Sequence, residues 1–136
     1  MTRLFLLFLL SLSANAIYAQ EAQGPKRDLA QRVQHTARAL QLDELQTAKL
    51  EDIYARENAQ LEQIAPLKTS DPDKYTHKLQ AIRKGTAGSI RLLLRDEQIA
   101  LYRKLAAQWR MQEHQLRRKM EGSSELEIQE ALIGNN

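Results

Sequence analysis

At 136 residues the chain has room for one domain, and 20 Lys/Arg against 17 Asp/Glu leave it only mildly basic. It has no cysteine, which excludes disulfides, thiol chemistry and cysteine-based metal sites. Stability must therefore come from packing alone.

The chain opens with Thr2-Arg3, then an apolar run from Leu4 to Leu12, then small residues at Ala14, Ala16 and Ala19. Charge, short apolar run and small residues, in that order, form a secretory signal. The run is shorter than the roughly 20 apolar residues that a membrane-spanning helix needs. Cleavage is expected after Ala19, with Ala16 the alternative. The expected organisation is 1–19 signal peptide, 20–121 helical domain and 122–136 flexible acidic tail with a short helix. The mature chain then works outside the cytoplasm, most simply in a bacterial periplasm.

Beyond a polar lead-in from Gln20 to Lys26, period-two alternation is absent and helical periods dominate, which predicts an all-α fold. Leu29, Val33, Ala37 and Leu40 share one face of a helix over 28–41. Asp43 followed by Gln46 reads as a capping box opening a helix that runs to Ile64. Leu50, Ile53, Tyr54, Leu61 and Ile64 form its stripe, which Glu57 interrupts. Pro66 to Asp73 reads as a turn, with Ser70 or Asp71 as the next cap and Pro72 at an allowed early position. Tyr75, Leu79, Ile82, Thr86, Ile90 and Leu93 then give the cleanest period in the chain. Gly85 and Gly88 lie inside it, either to bend the helix or to admit a close neighbour. Leu94 to Gln98 is a break or a kink. The pattern resumes through Leu101, Leu105, Trp109 and Leu116 to Met120, for a helix of about 37 Å from Asp96. Ser124 and Glu127 form a second capping box before a short terminal helix that Gly134 stops. Single apolar stripes on long helices predict a long antiparallel helical hairpin with a short N-terminal helix. Its shallow core would be completed by a homodimer.

Two segments echo each other: Leu42-Asp43-Glu44-Leu45-Gln46 and Leu94-Arg95-Asp96-Glu97-Gln98, each followed by an apolar helical stripe. Both read Leu-x-x-x-Gln at a helix start. The pattern resembles the LTxxQ motif of the Spy/CpxP family of periplasmic proteins, over roughly residues 40–119. Asp43 and Arg95 stand where that motif has Thr; Asp43 keeps the capping chemistry and Arg95 does not. The resemblance implies an all-α cradle-shaped dimer acting as an ATP-independent chaperone or envelope-stress modulator. It also implies, through related members, a metal-responsive role with zinc, nickel or cobalt. Leu42, Gln46, Leu94 and Gln98 carry over as structural positions.

Charge is unevenly distributed. Lys74 to Lys119 holds twelve Lys/Arg against Asp96, Glu97 and Glu113, while the tail has Glu121, Glu125, Glu127 and Glu130 and no base. One reading is solvated helix faces. The sharper one is a basic surface of Arg83, Lys84, Arg91, Arg95, Arg103 and Arg110, near Tyr102 or Trp109, that attracts unfolded or envelope proteins. Anionic lipid fits the same charge, and nucleic acid does not fit the compartment. No phosphate-binding loop, paired nucleophile or catalytic pocket signature is present, so the chain reads as a non-enzyme without a cofactor. His77, Met111 and His114 are the candidate metal ligands, for copper through the soft Met or for zinc, nickel or cobalt through imidazole. A third role in keeping with the compartment is that of a regulatory partner of a membrane signalling protein.

Overall fold

The computed structural model describes residues 24–134, and the signal-peptide reading falls outside them. Among the described residues the regular elements are all helical: α1 (Gly24–Leu40), α2 (Glu44–Ile64), α3 (Leu67–Ser70), α4 (Pro72–Leu93), a 3-10 turn (Asp96–Gln98), α5 (Ile99–Lys119) and α6 (Glu125–Gly134). The fold is all-α, as the periodicity predicts. None of these helices is long and apolar enough to cross a membrane.

Local chemistry sets the boundaries. α1 ends at Gln41, which adopts a positive φ of 52°. The Gln41 N–H donates to Arg38 O at 3.2 Å and the Leu42 N–H to Ala37 O at 2.9 Å. This is a Schellman ending with glutamine where glycine is usual. Asp43 caps α2 as expected: its Oδ1 accepts from the Gln46 N–H at 2.8 Å, and Gln46 Oε1 accepts from the Asp43 N–H at 3.2 Å. The segment expected as a turn after Ile64 contains the four-residue α3. Asp71 rather than Ser70 caps α4, accepting from the Lys74 N–H at 3.1 Å.

The predicted single helix over 96–120 is two elements. Leu94 and Arg95 are extended, with ψ of 147° and 164°, so the chain breaks fully before the 3-10 turn and α5. A kinked continuous helix is thereby excluded. The α4 glycines do not serve to admit a close neighbour. α4 continues through both, and a methyl group built at Gly85 or Gly88 would meet no atom within 4 Å.

α2 and α4 make the antiparallel hairpin, with α1 against α2 and α5 against α1. The chain buries two apolar clusters by itself. The larger joins Val33 and Leu40 of α1, Leu50 and Tyr54 of α2, Ile90 of α4 and Leu105 of α5. The smaller joins Ile64, Tyr75 and Leu79, with Leu126 of α6 packed on it. Within the segment expected as a flexible tail, 122–136, the described residues form a packed helix rather than a free one. α6 lies against both α4 and α5, with Ile128, Gln129 and Leu132 buried.

Candidate functional site: a basic, aromatic-walled groove

The two Leu-x-x-x-Gln segments meet at one end of the molecule. Gln46 Nε2 donates to Gln98 Oε1 at 2.8 Å, and Gln98 Nε2 donates back to Gln46 Oε1 at 3.0 Å. Each amide also reaches the backbone of the opposite segment: Gln46 Nε2 to Leu93 O and Gln98 Nε2 to Gln41 O, both at 3.0 Å. Gln98 Oε1 accepts from the Arg95 N–H at 3.0 Å, matching the Gln46–Asp43 contact. The repeat is thus a local pseudo-two-fold clasp. The Arg95 side chain does not cap; its guanidinium pairs across the clasp with Asp43. The Asp43 carboxyl is held below its usual value, chiefly by the Gln46 N–H and further by Arg95. Leu42 and Leu94 pack partly buried beside the larger core cluster.

α4 and α5 leave this clasp and run antiparallel without packing closely along their middles. Near the clasp they are joined by Tyr102, whose hydroxyl donates to Ala87 O at 3.2 Å. Farther along, Arg83 and Glu113 approach to 3.9 Å. Beyond that point α6 is wedged between them: Arg83 Nη1 donates to Gln129 Oε1 at 2.6 Å, and Arg117 forms paired bonds to Glu125 at 2.8 and 2.9 Å. The unfilled stretch between α4 and α5 is a cavity of about 680 Å³, floored by α1 and α2. That volume is in the range of sites that enclose a ligand or a few side chains.

Its walls combine aromatic surface with positive charge. Tyr54, Tyr102 and Trp109 line it, with the Tyr102 and Trp109 rings edge to face at 6.5 Å between centroids. The charged lining is Arg32, Arg83, Lys84, Arg110 and Arg117 against Glu57 and Glu113, with His35 also present. The floor holds the residue that interrupts the α2 stripe. Glu57 is buried because Arg32 of α1 donates to it at 2.8 Å, their side chains 8% and 15% exposed. The Arg32 guanidinium also sits 4.2 Å over the Tyr54 ring. The Tyr54 hydroxyl bonds Thr36 Oγ1 at 2.8 Å. Burial pushes the Tyr54 phenol above its ordinary value, opposed by Thr36 and Arg32.

Of the six basic residues expected to form a surface, Arg83, Lys84 and Arg110 come together on the groove. Arg95 belongs to the clasp, and Arg91 and Arg103 are exposed outside the groove lining. Sequence reasoning missed Arg32, Glu57 and Arg117. The break in the α2 stripe at Glu57 was the one local signal. His77, Met111 and His114 are all exposed, and among the described residues no group of three or more His, Asp or Glu is placed to hold a metal ion.

The closed end of the groove should be sensitive to acid. Hydrogen bonds from Arg117, then from Gln129, lower the Glu125 carboxyl from 4.5 to about 2. A carboxylate depressed in the folded state contributes its stability fully above its unfolded value and loses it as pH falls through the folded one. Docking of α6 should therefore weaken between about pH 4.5 and about pH 2. Trp109, which shares a smaller cavity with Leu132, reports on it. Its emission should change across that window in the native chain and change far less in Glu125→Gln.

No family model, curated protein or solved structure matches this chain.

Proposed function

We propose that this protein is an exported, ATP-independent binding protein of Spy/CpxP type that shields unfolded segments of envelope proteins in the α4–α5 groove. The observation carrying this reading is the joining of Tyr102 and Trp109 to Lys84, Arg83 and Arg110 on one cavity of about 680 Å³. Long-range attraction to the basic rim brings an acidic segment in, and apolar contact with the rings retains it. Release needs no nucleotide, because a client that folds buries the surface by which it was held. The paired Leu-x-x-x-Gln segments support the family likeness through their position at the clasp. A homodimer is part of the proposal: Leu45 and Leu92 are exposed at the clasp end, and sedimentation of the mature protein as a single chain would remove it.

The test is aggregation of a chemically denatured protein at equimolar amounts, at low and high salt. The native chain should suppress aggregation, less so at high salt. Lys84→Glu with Arg110→Glu should require about tenfold more protein for the same suppression, two reversed rim charges together changing affinity by on the order of 1.4 kcal/mol. Trp109→Ala should weaken suppression at both salts. Absence of suppression by the native chain at either salt removes the chaperone reading.

A further inference from the structure

The groove does not stop at the cavity. α6 fills its continuation between α4 and α5, and Arg83 and Gln129 form the wall between the filled and unfilled stretches. Four of the residues that seat α6, Glu125, Ile128, Gln129 and Leu132, engage the slot, while Leu126 packs on the smaller cluster and Glu130 pairs with Lys68. A spacing of three, one and three puts the four slot residues on a single helical face. This is the anchor pattern of a helix laid in a groove. The carboxylate takes Arg117, the amide takes Arg83, and Leu132 reaches the Trp109 and Leu116 surface. The molecule therefore displays one sequence that its own slot accepts: acidic at the first anchor, aliphatic at the second and fourth.

How α6 is attached is as informative as where it lies. It starts after Gly122, whose φ of 91° is a conformation that most other residues would resist. Its first turn is held by its own residues, the Ser124 N–H donating to Glu127 Oε2 at 2.7 Å and the Glu127 N–H to Ser124 Oγ at 3.3 Å. The body supplies the Arg117 and Arg83 contacts, an ion pair from Lys68 to Glu130 at 2.5 Å, and burial of two aliphatic side chains. The Arg117–Glu125 and Lys68–Glu130 pairs are substantially exposed, so their hold is modest and salt-dependent. A segment of like chemistry, able to use the ring-lined stretch as well, has more surface to gain than α6 has to lose.

We infer that α6 is an intramolecular occupant of the client slot, and that the clients are acidic amphipathic segments that displace it. The inference rests on the proposal that the α4–α5 groove is the client site. Arg83 and Arg117 are engaged by α6 in the resting chain and become available to a client when α6 swings out about Gly122. The tail's run of acids without a base then has a function: it keeps a basic, aromatic surface covered until a better ligand arrives.

The probe is a labelled synthetic peptide with the sequence of residues 123–136, titrated against the full chain and against Glu125→Ala with Leu132→Ala. Weakening the internal occupant should raise peptide affinity about tenfold, and adding Arg117→Glu should abolish that gain. A second readout needs no variant. When denatured client is added to the native chain, amide exchange should speed up over residues 125–134 and stay unchanged in α2. Equal peptide affinity for the two chains, or protection of α6 that is unchanged or increased by client, overturns the inference. Aggregation suppression sensitive to Trp109→Ala would leave the groove as client site in that event, so the two claims fail separately.

Discussion

Replacing Gln98 with alanine should lower the free energy of unfolding by about 3 kcal/mol, more than its modest hydrophobic content would suggest. Gln98 is buried and its amide makes four hydrogen bonds: two with Gln46, one from the Arg95 N–H and one to Gln41 O. Truncation leaves Gln46 with half its partners and frees the Gln41 carbonyl, which is presented from a residue at positive φ. The buried Gln46 amide stranded in this way costs about 1–3 kcal/mol, while the carbonyl of the exposed Gln41 can turn to water. The reciprocal geometry supplies the control. Gln46→Leu with Gln98→Leu removes both amides at similar volume, so the double variant should lose clearly less than the sum of the singles. The coupling in that cycle should exceed about 1 kcal/mol, as for residues sharing one network. Guanidinium unfolding monitored by circular dichroism measures Gln98→Ala, the two single leucine variants and their double. A Gln98→Ala loss of less than about 0.5 kcal/mol, the scale of ordinary surface substitutions, would show that the clasp is not a stabilising element.

Glu57→Ala is expected to cost a similar amount for a different reason. Removal of one member of a buried ion pair leaves the other charge without compensation, typically at 3–5 kcal/mol. Here the lower end applies, at about 3 kcal/mol, because Arg32 keeps its stacking on Tyr54 and adjoins the cavity. Glu57→Gln, which retains an accepting oxygen, should lose less. Arg32→Met with Glu57→Leu should come close to the native stability, because an apolar pair avoids the desolvation that the ion pair suffers. Thermal unfolding of the four proteins decides it. If Glu57→Ala and the double variant lose equally, the ion pair is not the cause and side-chain packing is.

Local signals made much of the fold legible. The Asp43–Gln46 capping box, the Asp71 cap and the i, i+3, i+4 stripes depend on residues within one or two turns, and the helices begin and end close to where those residues place them. The paired motifs were also visible, because Leu-x-x-x-Gln occurs twice with the same following stripe. Their reciprocal bonding was not, since it joins residues 52 apart. Glu57 showed as a flaw in a stripe, but its partner lies 25 residues away on α1. The groove was least accessible of all. It exists because two helices with good stripes fail to pack along their middles, and because a short acidic tail comes back to fill one end. Neither fact is carried by any single segment. The sequence expectation of a thin hairpin with a shallow core underrated α5 and α6. Together with α1, they let a single chain bury two apolar clusters.

The clasp and α6 sit at opposite ends of the same pair of helices, and they are made of different materials. At the clasp, apart from the exposed Arg95–Asp43 pair, neutral amides bond to one another and to backbone in a buried setting that ionic strength hardly touches. At the α6 end, ion pairs open to solvent do much of the fastening. The molecule is thus built like a clothes-peg, its spring sealed at one end and its jaws shut by a catch that salt or acid loosens. On the proposed reading, opening that catch would free the far end of the groove while the amide bonds still hold α4 and α5 together at the other.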